Sequence, residues 1–368
     1  MARRPTPSPF AALTARGLAA RGLTRREALG AGLAVAATAG ALPRLGAAQD
    51  NQVNVYNWDT YIGETTIADF TERTGIEVRY DLFASNDELF AKLREGNPGY
   101  DVIYPSNDWV SRMVAADMLV PLDHAKIPNM ANIDPLFADP AFDPGRTYSM
   151  PYMWGTLGIG FRSTVGRPSK WADMFEDDLW AGKMSFLADA HSIYAGLKYL
   201  GYSLNSDDPA EIQAVVDAFV AAKSKIKTFA PDTGQDLLIS GEVDCCLEWS
   251  GDIQQVMAED DELDYVVPEE GSMLWEDTMA IPTGAPHVEA AHAWIDYILD
   301  AQVHGAIAEE IKFACPNAAA MQYIPEEDRE NPTIYPSRSV LERCEIRVYQ
   351  SEEVSRLYQD ALTKILAA

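Results

Sequence analysis

The sequence predicts an α/β protein built as two discontinuous lobes with a ligand cleft between them. Three observations predict it. Short apolar runs alternate with amphipathic stretches along the chain. The first three such pairs fit into about 65 residues, the size of repeated crossover units. One strand-like segment then leaves that unit, and another returns to it more than a hundred residues later.

In order, residues 53–56 read as a short strand, followed by a helix over 64–73 with Ile67 and Phe70 on one face and Gly75 as its stop signal. Residues 77–83 alternate as a second strand. The stretch 87–94 is helical through Leu89, Phe90 and Leu93, 101–104 is a third strand and 109–118 a third helix. Repeats of this kind make a mostly parallel sheet. A proline-rich stretch over 121–151 carries little regular structure, and 158–162 crosses to the second lobe. There the pattern predicts helices over 193–200 and 209–224, the latter opened by Pro209. A strand over 245–249 and a helix over 253–259 complete that lobe. Residues 279–281 return as a strand, 287–300 form an amphipathic helix with His287 and His292 toward solvent, and 352–366 is a final helix. The lobes so defined are 49–159 with 279–320, and 160–278 with 321–368.

The first 48 residues stand apart, with seven arginines and a single acid, Glu27. Thr24-Arg25-Arg26-Glu27-Ala28-Leu29 precedes a weakly apolar run over 30–42, and Gly46-Ala47-Ala48 offers a small-residue cleavage site before Gln49. A basic start, a short apolar middle and a small-residue end make an export signal peptide. The paired arginines with Leu29 resemble the twin-arginine type, a general secretory signal being the alternative. No later run is long and apolar enough to span a bilayer, so the periplasm is the expected location.

Removing seven basic residues and one acid from 29 and 56 leaves 22 against 55, a net charge of −33. Such a surface repels nucleic acid and anionic membranes and gathers small cations, although it also serves solubility alone. Among the cysteines, the adjacent Cys245 and Cys246 make a strained pair, whereas a disulfide between Cys315 and Cys344 is allowed in an oxidising compartment. No Cys/His spacing suggests a metal site, and no cofactor is expected.

Four segments combine an aromatic with a carboxylate beside a strand end. They are Asn57-Trp58-Asp59-Thr60-Tyr61, Pro105-Ser106-Asn107-Asp108-Trp109, Trp249-Ser250-Gly251-Asp252 and Leu274-Trp275-Glu276-Asp277, the last preceding the returning strand. An ammonium ligand needs this mixture, because carboxylates pair its charge while indole faces attract it and pack its methylenes. Singly, Trp58 or Trp249 reads as core and Asp108 or Asp252 as a helix cap. Recurrence at strand ends, where open α/β sheets bind ligands, favours a binding site.

Over essentially the whole chain after the signal, the sequence resembles the spermidine/putrescine-binding proteins of ABC importers. The stretches VYNWDTYI, FTERTGIEVRYD, AKLREGNPGYDVIYPS, FDPGRTYSMPYMWGTLGIG, LEWSGD, VVPEEGSMLWEDTMAIP and NPTIYP carry the likeness. The resemblance implies a type II periplasmic-binding-protein fold that closes on its ligand and delivers it to a membrane permease. It implies cleft roles for Trp58, Asp59 and Tyr61, for the pair Ser106 and Asp108, and for Trp249 and Asp252, with Trp275 and Asp277 holding an amine. Three positions depart from the family pattern. Beside the retained Asp189, Ser192 stands where the family has a glutamate, Phe313 where it has a tyrosine, and Arg347 near a glutamine or lysine.

The function read from this is capture of a putrescine- or spermidine-like cation, with an ω-amino or guanidino acid as the alternative that Ser192 and Arg347 suggest. An enzyme is disfavoured, since no G-x-S-x-G, H-E-x-x-H or P-loop is present and neighbouring acids such as Glu276 and Asp277 point to opposite faces of a strand. A receptor-coupled sensor would use the same fold, and an iron-binding variant would need clustered tyrosines. The expected partners are the small cation and an ABC permease in the inner membrane, with the protein itself a monomer.

Overall fold

The computed structural model describes residues 51–368, so the export signal assigned to 1–48 lies outside the described residues. The first unit runs β1 (Gln52–Trp58), α1 (Thr66–Thr74), β2 (Glu77–Phe83), α2 (Asn86–Arg94), β3 (Val102–Ile103) and α3 (Asn107–Ala115). Then come the long β4 (Ser149–Arg162), α4 (Ala172–Phe175), β5 (Met184–Leu187), α5 (Ala190–Tyr199), α6 (Pro209–Ala222) and β6 (Ile226–Ala230). The chain continues through α7 (Gly234–Ile239), β7 (Cys245–Trp249), α8 (Ser250–Met257), β8 (Leu263–Val266) and β9 (Met273–Ala280). It closes with α9 (Val288–Ile298), α10 (Ala301–Ile311), α11 (Glu326–Arg329), α12 (Arg338–Leu341), β10 (Glu345–Ile346) and α13 (Glu352–Ala367).

Local chemistry sets several boundaries. Gly75 ends α1 at φ 72°, a left-handed conformation that costs glycine little. Asp208 caps α6 through the Ala210 N–H, with Pro209 at the first helical position, where its missing N–H is no loss. Ser351 caps α13 through the Val354 N–H.

The strands run in the order β2-β1-β3-β9-β4-β7-β5-β6. Pairing is parallel within β1, β2 and β3 and within β5, β6 and β7. It is antiparallel wherever β4 or β9 meets those sets, so the sheet is mixed rather than mostly parallel. The 14-residue β4 serves both halves. Its first part pairs β9 from Ser149 to Thr156, and its second pairs β7 and β8 from Leu157 to Arg162.

The cores divide at the same place. Met150, Tyr152, Met153 and Trp154 are buried with Val53, Val55, Ile103 and Trp294 in one cluster. Leu157, Ile159 and Phe161 are buried with Phe186, Val215 and Phe219 in another. Between them Gly155 has no room for a side chain, since a Cβ there would stand 2.6 Å from the Trp275 ring. A smaller cluster forms around Leu238, Ile253 and Tyr265.

Other sequence expectations change. Leu274-Trp275-Glu276-Asp277 lies inside β9 rather than before it, because the returning strand begins at Met273. Both histidines of the predicted solvent face are engaged: His292 is buried and its Nε2 accepts the Asp123 N–H at 3.0 Å, while His287 Nδ1 lies 2.9 Å from Asp101. Ile324 and Ile334, which the sequence reading groups with the second lobe, are buried in the first core, whereas the α13 residues Tyr358 and Ile365 pack in the second. All four cysteines are free thiols, so the allowed Cys315–Cys344 bond is not formed.

Candidate functional site

The strand β9 places its neighbouring acids on opposite faces, as its period of two requires. Behind it, Glu276 is fully buried and takes two hydrogen bonds from Arg146, at 2.6 and 2.8 Å. In front, Asp277 accepts the Ser106 hydroxyl at 2.6 Å, and Ser106 in turn accepts from the Asn86 amide at 2.9 Å. The Thr278 N–H and hydroxyl both donate to the Pro105 carbonyl, which locks β9 against the end of β3. Among the described residues no Lys, Arg or His lies within ion-pair distance of Asp277. Only 8% exposed, its carboxyl is pushed up to about 7 by burial, with the Ser106 and Tyr61 hydroxyls pulling the other way.

Tyr61 comes from the loop after β1. Its carbonyl accepts the Asn57 amide at 3.1 Å and the Tyr152 hydroxyl at 2.7 Å, which holds the backbone there. Its own hydroxyl is buried beside Asp277 without a hydrogen bond of ordinary geometry, and burial raises its pKa well above the usual value. From Tyr61 a row of rings runs through Phe313 at 5.3 Å, Trp275 at 5.5 Å, Trp249 at 6.1 Å, His191 at 4.6 Å and Tyr194 at 5.4 Å, each pair near perpendicular. Phe313 touches both large cores and presses on Gly251, where a Cβ would stand 2.0 Å from the ring. The Trp275 indole N–H is buried with no partner among the described residues.

Beyond Trp249 lies a carboxylate cluster that sequence reading met only through Asp252. Oxygens of Asp232, Glu248 and Asp252 all lie within 4.8 Å of one another, an arrangement that suits a cation, whether metal or ammonium. Asp232 accepts the Trp249 indole N–H at 3.0 Å, and Glu248 accepts the Gly234 and Trp249 backbone N–H groups. Burial raises all three carboxyls: Glu248 well above its usual range with Asp232 adding repulsion, and Asp252 to about 7 with Asp232 and Asp236 adding theirs. Asp232 is nevertheless exposed and Asp252 half-buried.

The other candidates fall as follows. Asp108, half-buried in the first turn of α3, is raised by burial, while His191 and Arg347 favour its charge. Asp189 caps α5: its Oδ1 accepts the His191 N–H at 2.9 Å and lies 2.8 Å from His191 Nδ1. Ser192 is buried with its hydroxyl donating to the Leu187 carbonyl. Trp58 packs on Phe83 at 4.5 Å and donates its indole N–H to the Tyr104 carbonyl. Asp59 is exposed and accepts the Thr60 N–H. Arg347 is buried, its Nη1 donating to Asn205 Oδ1, the Val348 carbonyl and Gln350 Oε1, and its guanidinium lies over Tyr358 at 4.9 Å.

The arrangement thus joins Tyr61, Ser106, Asp277, Phe313, Trp275, Trp249 and Asp252 along one aromatic row, with Asp108 and Asp189 toward its His191 end. Asp232, Glu248 and His191 escaped sequence reading. Glu248 and His191 each sit within two residues of a recognised position, which is the signal that would have found them.

Comparison with known proteins matches residues 65–333 to the bacterial extracellular solute-binding protein family. The chain is 34% identical over 301 residues to spermidine/putrescine-binding periplasmic protein 1 of Haemophilus influenzae, covering 80% of this chain and 83% of the relative. It is 32% identical to the putrescine-binding periplasmic protein SpuD of Pseudomonas aeruginosa, covering 89% and 94%. Among solved structures, the spermidine/putrescine ABC transporter substrate-binding protein PotD of Streptococcus pneumoniae superposes with a TM-score of 0.78 at 33% identity, over 86% of this chain and 99% of that one.

Proposed function

Because the chain belongs to the bacterial extracellular solute-binding protein family, we propose that its aromatic and acidic cleft captures a putrescine- or spermidine-like cation and hands it to an ABC permease. It acts in the periplasm, as its named relatives do, and no helix of the described residues is long and apolar enough to cross a membrane. Its role is that of a monomeric carrier rather than a catalyst or a nucleic-acid binder. The lobes that close on the ligand are the halves built on the two large cores, hinged where β4 and β9 run between them.

One observation carries the reading: Asp277 is a buried carboxylate held by a hydroxyl, walled by aromatic rings and answered by no protein cation among the described residues. A buried charge without a partner is costly, and an ammonium ligand supplies the partner. Asp252, with Asp232 and Glu248 behind it, offers a second pole for the other end of a diamine. Cation–π contacts of up to about 2 kcal/mol each, added to two charged hydrogen-bonded ends, suffice for micromolar binding, about 8 kcal/mol. The ω-amino acid alternative has less support, since Arg347 is engaged by Asn205, Val348 and Gln350 and its charge faces Asp108.

The test is a thermal-shift series with putrescine, spermidine, 4-aminobutyrate and 1,4-butanediol. Ligands that bind the folded state raise its melting temperature. The amines should raise it, and the amino acid and the diol should not. A shift with 4-aminobutyrate alone would overturn the reading.

A further inference from the structure

The carboxylates of the cleft differ in whether the protein already answers them. Among the described residues, Asp277 and Asp252 have no cationic side chain within ion-pair distance. Asp189 has a histidine instead: its Oδ1 holds both the backbone N–H and the Nδ1 of His191. The His191 ring fills the gap between Trp249, at 4.6 Å, and Tyr194, at 5.4 Å. The acids facing it are Asp189 from its own element, Asp108 from α3 and Asp232 from the loop before α7. Burial opposes the imidazolium and these three outweigh it. Asp108 meets a second cation in Arg347, whose guanidinium lies 5.7 Å from the Tyr194 ring. Ser192, one residue on, turns its hydroxyl away to the Leu187 carbonyl and offers the cleft nothing.

The cleft therefore has two unanswered carboxylate poles, Asp277 and Asp252, and one end already capped by the chain's own imidazole. Resting on the proposed capture of a linear amine, we infer that His191 sets the length of ligand the cleft accepts. Its imidazole occupies the space and the Asp189 oxygen that a third ligand nitrogen would need, so the protein selects a diamine over a triamine. A triamine has to displace the ring from Asp189 or place its extra ammonium beside an imidazole whose charged form Asp189, Asp108 and Asp232 favour, and either loss falls on the longer ligand alone.

The test is calorimetric titration of the wild type, His191→Ala and His191→Gln with putrescine and with spermidine, after melting curves show that each variant is folded. The wild type should bind putrescine at least about tenfold more tightly than spermidine. His191→Ala should shrink that ratio by about tenfold through tighter spermidine binding, and His191→Gln, which keeps a polar side chain without the charge, should fall between. An unchanged ratio in both variants, or a wild type that prefers spermidine, overturns the role of His191. Absence of binding heat with both amines in the wild type instead overturns the amine-carrier reading, and this inference with it.

Discussion

The two faces of β9 handle the same chemical group in opposite ways. Behind the strand, Glu276 is buried and paired through two hydrogen bonds with Arg146, which also donates its Nε–H to the Phe137 carbonyl at 2.8 Å. In front, Asp277 is nearly as buried and meets hydroxyls instead of a cation. A carboxylate answered inside the chain holds the fold together, whereas one left unanswered is, on the function proposed above, kept for a cationic ligand.

The sharpest way to break this comparison is Glu276→Gln. It strands the Arg146 charge in the core and should cost about 3–5 kcal/mol of stability in a denaturant titration. A loss below 1 kcal/mol would erase the distinction between the faces. The companion change, Asp277→Asn, should weaken diamine binding by about 1.5–3 kcal/mol in calorimetry, the usual worth of a charged hydrogen bond, without lowering the stability of the free protein. Equal destabilisation by both variants would put Asp277 in the structural class.

Acidity sharpens the comparison further. Asp277 and Asp252 titrate near 7 in the folded protein, above the ordinary carboxyl value of 3.8, because burial disfavours their charge. The folded chain therefore holds protons that the unfolded chain has released, and these two groups contribute stability below pH 4 that is lost as pH rises toward 7. A bound ammonium needs the ionised form, so diamine affinity should fall as pH drops below 7, by up to about tenfold per pH unit for each group. Titrations at pH 8 and pH 6 check this, and the dependence should weaken in Asp277→Asn. The smallest effect is reserved for Glu289→Gln, an exposed partner of Lys126, which should leave amine affinity unchanged.

Much of this was legible in the sequence where local chemistry decides the outcome. The bounds of β2 and β7, the stop at Gly75 and the helix start at Pro209 follow from short alternating or apolar runs and turn chemistry that the chain displays openly. Trp275, Asp277, Trp249 and Asp252 were readable because an aromatic beside an acid is conspicuous at a strand end. What stayed hidden depends on distant parts of the chain. His292 looks solvent-facing until the Asp123 backbone comes to it from 169 residues away. Leu274 to Asp277 falls before the predicted returning strand because the fully buried β9 lacks the alternation of a half-exposed strand. Asp232 joins the site only because β6 and β7 flank β5 in the same sheet, bringing their following loops together. Arg347 reveals its neutral partners only when Asn205 and Gln350 fold against it.

The 14-residue β4 has a consequence for how the molecule comes apart. Because one uninterrupted strand supplies ladder partners to both cores, neither half can melt without stripping hydrogen bonds from the other. The two halves should accordingly unfold in a single cooperative transition, and the amides of β4 from Met150 to Phe161 should be among the last to exchange with solvent deuterium.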